Sequence, residues 1–250
     1  MASAHEPPDT PEVPDADAAI VSGQEPPSAG VDLTLEAIVD AALGHVEKSG
    51  LAGLTMRHLG RRLQVEAASL YRHVPGKDRL LDAVVERLVD DMYRDEDVLL
   101  EPANGWQDFL QRLAHGVRRV ALAHPKTFPL VASRPPEAPW LRPPLRSLAW
   151  VETFLGGLRQ EGFSDEAAVA AYRCFTSFLL GHLMLEVAGL GADIGPLDVL
   201  DDGEEDDAAM RDYPVVASLR RGLQEDHSAA EFEEALEALL ERIALIKAEL

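Results

Sequence analysis

Residues 55–82 read TMRHLGRRLQVEAASLYRHVPGKDRLLD, and this stretch decides the fold. Thr55 supplies an N-cap for a helix from Met56 to Leu63, whose Met56, Leu59 and Leu63 share one face. A break at Gln64-Val65-Glu66 follows, then a short helix from about Ala67 to His73, stopped by Pro75-Gly76. From Asp78 a longer helix places Leu81, Val84, Val85, Leu88, Val89 and Met92 at steps of three and four. Upstream, Leu35, Ile38, Val39, Ala42 and Val46 predict a first helix over about 35–49, capped by Thr34 and ended by Gly50. Three short helices with a tight turn between the second and third fit a helix-turn-helix. Such a unit needs an apolar inner face, here Met56, Leu59, Leu63, Val65, Leu70 and Val74. It also needs donors that can enter a major groove about 12 Å wide. An ordinary helical hairpin has the same apolar spacing, so charge becomes the discriminating feature.

The chain of 250 residues has 23 Lys+Arg against 44 Asp+Glu, a net charge of −21, which as a mean should repel nucleic acid. The distribution says otherwise. Between 57 and 79 stand six bases (Arg57, Arg61, Arg62, Arg72, Lys77, Arg79) against Glu66 and Asp78. The excess acid lies elsewhere. Residues 1–30 carry six acids, six prolines and no Lys or Arg, the composition of a disordered tail. Seven of the ten residues from Asp198 to Asp207 are acidic, which reads as a solvated disordered loop within about 192–210; a divalent-cation site is the alternative, without the ligand spacing of a calcium loop.

Downstream the pattern stays helical and no strand alternation appears, so the fold class is all-α. Asn104 with Gln107 resembles a capping box for a helix through Phe109, Leu113, Val117 and Val120 to about Pro125. Prolines at 135, 136, 139, 143 and 144 mark turns, then helices are expected at about 145–160 and 164–189. Ser228 with Glu231 opens the last, which places Phe232, Leu236, Leu239, Ile243, Ile246 and Leu250 on a 3.5-residue seam. By pattern alone that seam serves either the chain's own core or a partner helix. The single cysteine, Cys174, fits a reducing compartment as a buried thiol or a redox sensor, and neither an export signal nor a membrane span is read. The expected location is the cytoplasm.

Gly53-Leu54-Thr55-Met56-Arg57, Leu63-Gln64-Val65-Glu66-Ala67-Ala68-Ser69-Leu70-Tyr71-Arg72-His73-Val74 and Lys77-Asp78-Arg79-Leu80-Leu81-Asp82 together resemble the DNA-binding domain of the tetracycline repressor (TetR-like) family, without gaps from about Leu35 to Leu88. Trp106-Gln107-Asp108-Phe109-Leu110, Ser133-Arg134-Pro135 and Glu161-Gly162-Phe163-Ser164 resemble the regulatory domain of its tetracycline-repressor subgroup. The resemblance implies a helix-turn-helix domain over 31–78 and a connecting helix over 78–95. A larger ligand-binding and dimerisation domain then spans 96–250 of an Ω-shaped homodimer that binds a palindromic operator. It assigns the seam after Ser228, and the helix carrying Cys174 and Phe178, to the dimer bundle. It puts Thr55, Arg57, Ala67, Ala68, Ser69, Tyr71, Arg72, His73 and Lys77 on double-stranded DNA, with Tyr71, His73 and Lys77 on phosphates. Arg72 can take guanine O6/N7. Ala67 and Ala68 replace larger contacts of the family.

The ligand side departs from the drug-binding members. Leu130 or Val131 stands where they carry a metal-holding histidine, and Tyr93 where another drug contact would be, which argues against a magnesium–tetracycline complex. An apolar small-molecule effector is expected instead, held by Trp106, Phe109, Leu113, Val117, Leu130, Trp150, Phe154 and Phe178, with Arg134 and His182 as polar contacts. His182 and Glu186 have the spacing of two metal ligands, but a lone pair reads better as an intrahelical contact, and neither metal nor cofactor is expected. No nucleophile–base–acid set or Gly-rich phosphate loop is found, so an enzyme is not expected. The expected function is a ligand-responsive transcriptional repressor; the alternative is a dimeric helical ligand-binding or scaffold protein without operator binding.

Overall fold

The computed structural model describes residues 33–94, 98, 102–134, 138, 140–143, 147–193 and 209–250. The acidic tail over 1–30, the acidic cluster of 198–207 and Pro135, Pro136, Pro139 and Pro144 lie outside the described residues. Among those described there are ten α-helices, one 3-10 turn and no strand.

α1 (Leu35–Ser49) begins where Thr34 Oγ1 accepts from Ala37 N and ends at Gly50, whose φ of 75° suits a residue without a side chain. α2 (Met56–Leu63) starts at Thr55 in the same way, its hydroxyl accepting from His58 N. Gln64 then takes a left-handed conformation (φ 57°, ψ 36°), which turns the chain into α3 (Ala67–Leu70). The turn is closed by Val65 N donating to Gly60 O at 2.9 Å. Gly60 is required there: a Cβ would sit 2.9 Å from Val65 O and 3.2 Å from Ala67 N. α3 is one turn long rather than reaching His73, because Tyr71 to His73 form turns whose amides return to Ser69 and Leu70. α4 (Lys77–Arg94) packs its first half on α1, closing a core of Ile38, Ala42, Leu54, Leu59, Leu70, Leu80 and Val84.

α4 also contacts α5 (Trp106–Ala123) and α6 (Pro129–Ser133). α5 starts from Gly105 (φ 91°) with no side-chain cap, so the expected Asn104 box does not form; Asn104 Nδ2 donates to Asp108 instead. α7 (Leu148–Gln160) is capped by Ser147, and α8 (Asp165–Gly189) by Ser164. α8 is long and apolar enough to cross a membrane by length and composition, yet it packs among α5, α7 and α10.

α9 (Pro214–Gln224) buries none of its residues in the chain and leaves Val215, Val216, Leu219 and Leu223 exposed. α10 (Ser228–Glu249) is preceded by His227 as N-cap, and the Ser228–Glu231 box is absent because the Ser228 amide and hydroxyl both turn to Asp226. The apolar seam of α10 is used inside the chain. Phe232, Leu236, Ile243 and Ile246 are buried, mostly against α8, and only Leu239 and Leu250 of that seam retain exposed surface. The dimer assignment of the whole seam is therefore corrected: a residue already covered by its own chain has no area left for a partner. Leu185 of α8 and Leu245 of α10, 73% and 54% exposed, are among the uncovered apolar residues of these two helices.

Candidate DNA-binding face and effector cavity

The side of α2–α3 away from the core carries the expected DNA set. Thr55, Arg57, Ala68, Tyr71, Arg72, His73 and Lys77 are exposed, while Ala67 and Ser69 are half-buried at the start and middle of α3. Because Leu59, Leu70 and Val74 take the inward positions, helical spacing forces these neighbours outward. Arg72 Nη2 donates to Ser69 Oγ at 3.2 Å, which steadies the guanidinium over the face; Lys77 Nζ rests 3.5 Å from Leu51 O. Arg79 pairs with Asp82 at 3.6 Å, whereas Arg57, Arg61, Arg62, Arg72 and Lys77 have no carboxylate partner among the described residues. Guanidinium and ammonium groups without a carboxylate partner can displace counterions from a phosphate backbone. Behind the face, the His45 ring lies buried 4.4 Å from that of His58 with its Nε2 unbonded. Burial, then the His58 charge, pushes the His45 pKa down.

A second feature lies between the helices. Val85, Val89 and Met92 of α4, Val117 of α5, Val131 of α6, Ser147, Trp150 of α7 and Thr176, Leu179 and Leu180 of α8 line a narrow apolar cavity of about 30 Å³, or about 450 Å³ when the solvent space at its open side is counted. A recess adjoining it shares Val85, Val89 and Ser147 and adds Glu86, Asp90, Tyr93 and Ala149. Burial pushes the Tyr93 phenol up, and that of Tyr172 up to about 12, while the Tyr172 hydroxyl donates to Pro143 O at 2.9 Å.

Of the residues expected on a ligand, the cavity brings together Val117 and Trp150. Phe154 stands behind Trp150, stacked at 5.5 Å, and Trp106 packs edge-on to Phe163. Phe109 fills the space beside Gly157, and Leu113 is buried core. Leu130 faces a separate cleft with Lys48 and Lys126. Phe178 and His182 contact Phe232, and Glu186 is taken by Arg118 at 3.1 Å, so His182 and Glu186 are not a metal pair. Val85, Val89, Met92, Thr176 and Leu179 were not singled out as ligand contacts, because on α4 and α8 their spacing is that of any core stripe.

Arg134 does not point to the cavity. Its Nε and Nη2 donate to Asp82 Oδ1 at 3.1 and 2.8 Å, and its Nη1 and Nη2 to Asp78 Oδ1 and O, at the start of α4. At the other end of α6, the Glu47 carboxylate of α1 accepts from Thr127 N at 2.9 Å, from Lys126 N at 3.3 Å and from Thr127 Oγ1. α6 thus presents Val131 to the cavity while polar clamps on both sides tie it to the helices of the DNA-binding face.

The comparisons with known proteins agree with this geometry. Residues 38–84 match the model of bacterial regulatory proteins of the tetR family, and residues 100–245 match that of the tetracyclin repressor-like C-terminal domain. An HTH-type transcriptional regulator of Saccharopolyspora erythraea is 31% identical over 186 residues, 74% of each chain. The class D tetracycline repressor protein of Escherichia coli is 34% identical over 155 residues, 61% of this chain and 66% of its own. A crystal structure of a possible TetR family transcriptional regulator from Streptomyces coelicolor A3(2) superposes with a TM-score of 0.65 at 30% identity, covering 85% of this chain and 99% of that one. These relatives are regulators, not enzymes. With a free basic face on a helix-turn-helix, a cavity behind it and family matches across both, the chain belongs to the TetR family of ligand-responsive, DNA-binding transcriptional regulators, with a tetracycline-repressor-type C-terminal domain.

Proposed function

We propose that the chain works as a cytoplasmic homodimeric repressor that holds a palindromic operator through Thr55, Arg57, Ala67, Ala68, Ser69, Tyr71, Arg72, His73 and Lys77 and releases it when a small apolar effector enters the α4–α8 cavity. The observation that carries this reading is the placement of α6: Val131 touches the cavity, while Thr127 and Arg134 on either side grip α1 and α4. An effector that displaces Val131 alters the balance of two head positions only if it binds one of them better. The clamps would carry a shift of α6 to α1 and α4. The functional division is a reading head over 31–78, a connecting helix over 78–95 and a regulatory part over 96–250.

Exposed Leu185 and Leu245, with the bare stripe of α9, supply area for a two-fold partner. The mostly apolar wall, and Leu130 or Val131 at the position where the family resemblance implies a metal-holding histidine, favour a hydrocarbon-rich ligand over a magnesium–tetracycline complex.

The test is selection of genomic fragments on the purified protein followed by salt titration. Arg72→Ala should weaken the selected operator by about 1–3 kcal/mol per half-site and relax its sequence preference. Lys77→Ala should weaken all DNA alike and reduce the salt slope by about two, one phosphate per head. If neither variant changes binding, these residues are not the contact face.

A further inference from the structure

One side chain of the apolar cavity is polar without a partner. Thr176 is 2% exposed, lines the cavity from α8, and its Oγ1 makes no hydrogen bond. A mid-helix threonine ordinarily returns its hydroxyl to the carbonyl four residues back; this one does not. The Tyr172 hydroxyl lies close enough for Thr176 to temper the upward pull of burial on that phenol, but its proton is committed to Pro143 O and the two hydroxyls do not meet in hydrogen-bond geometry. Leaving a buried hydroxyl unmade costs about 1–3 kcal/mol, and a valine would fill the same volume without that cost.

Among the described residues, no Lys, Arg or His lines the cavity or its recess, and Glu86 and Asp90 stand at the recess. A carboxylate or phosphate would stand near these two acids and lose its water to a described lining that offers it no cation.

We propose that the effector is an uncharged, largely hydrocarbon molecule bearing a carbonyl or similar oxygen that accepts a hydrogen bond from Thr176 Oγ1, so that Thr176 determines which apolar molecules are recognised. This rests on the reading of the cavity as the effector site.

The experiment uses the full chain loaded with the fluorescent neutral probe N-phenyl-1-naphthylamine, displaced in turn by fluorenone, by fluorene and by fluorenone-2-carboxylate. Fluorenone and fluorene have nearly the same shape and differ in the carbonyl oxygen. Thr176→Val should weaken fluorenone by about 5- to 30-fold and leave fluorene unchanged or tighter. Thr176→Ser, which keeps the oxygen, should retain the preference for fluorenone. The carboxylate should compete at least about tenfold less well than fluorenone in every variant. Equal losses of fluorenone and fluorene, or no loss of either, would overturn the role of Thr176. A carboxylate as potent as the ketone would overturn the uncharged class. Leu179→Trp fills the cavity and should abolish displacement. If it does not, or if no probe binds the unaltered chain, the cavity is not a ligand site and the effector reading above fails with it, leaving the DNA face untouched.

Discussion

Glu47→Ala tests the clamp between α1 and the turn before α6. The carboxylate accepts two main-chain amides and a hydroxyl, and Thr127, which supplies two of the three donors, is fully buried. Hydrogen bonds to a charged group contribute about 1.5–3 kcal/mol each, and a buried donor left unpaired costs about 1–3 kcal/mol. Lys126 N is only half-buried, so water can replace that bond. Glu47 also stands in the last turn of α1, where a negative charge opposes the helix dipole, and its removal returns about 0.3–1 kcal/mol. The expected net loss is about 2–4 kcal/mol. It should be read from urea unfolding followed by circular dichroism at one fixed protomer concentration, because association would otherwise enter the apparent stability. Glu36→Ala is the control: that exposed carboxylate meets Arg87 at 3.8 Å and stands in the first turn of α1, where its charge suits the helix dipole, so its loss should cost less than about 1 kcal/mol. A double-mutant cycle with Thr127→Ala should show coupling of at least about 1 kcal/mol. A Glu47→Ala loss no greater than the control, or strict additivity in the cycle, would show that the clamp contributes nothing to joining the two halves.

Two further outcomes follow from the same geometry. His45 is buried with its pKa pushed down, so below about pH 6.5 the unfolded chain takes up a proton that the folded head refuses, and stability should fall as pH drops. Melting at pH 7.5 and 5.5 checks the sign, and His45→Gln should lessen the drop; an undiminished drop would assign the acid sensitivity to other groups. Gly156 and Gly157 are adjacent in α7 and should respond in opposite directions to alanine. Gly156 has open space and should gain about 0.5–1 kcal/mol. At Gly157 a Cβ would stand 2.7 Å from the buried Phe109 ring, which should cost about 1–3 kcal/mol. Chemical denaturation of the pair decides it, and stabilisation by both changes would mean that the Phe109 contact yields freely.

The head was the part most legible in the sequence, because its boundaries are set locally. Thr34, Thr55 and Ser164 cap the helices they announce, and Gly50 ends α1 where it should. Asn104 and Ser228 carry the same kind of signal but were captured by nearer carboxylates, Asp108 and Asp226. α6 escaped notice because five residues opened by Pro129 have no room for periodicity. α9 was missed for another reason: its apolar stripe has no counterpart in the chain to give it meaning. The cavity is a collective property of α4 through α8, so Val85 or Leu179 looks like ordinary core until five helices are assembled. Arg134 reads in the sequence as a polar contact for an effector, but its partners lie 52 and 56 residues earlier, and nothing local in the sequence selects Asp82 and Asp78. The heptad of α10 shows the converse limit, since the same seam fits a neighbour within the chain or in another copy, and α8 claimed most of it.

In α2 and α3 the residues that hold the turn together and the residues that face outward are separate sets. Gly60, Gln64, Leu59, Leu70 and Val74 fix the geometry, and Ala68, Tyr71, Arg72 and His73 take no part in the core. Descendants of this chain can therefore exchange one DNA vocabulary for another through a few outward substitutions without passing through an unfolded ancestor, and a designer who grafts a foreign set of outward residues onto the same turn inherits the scaffold unchanged.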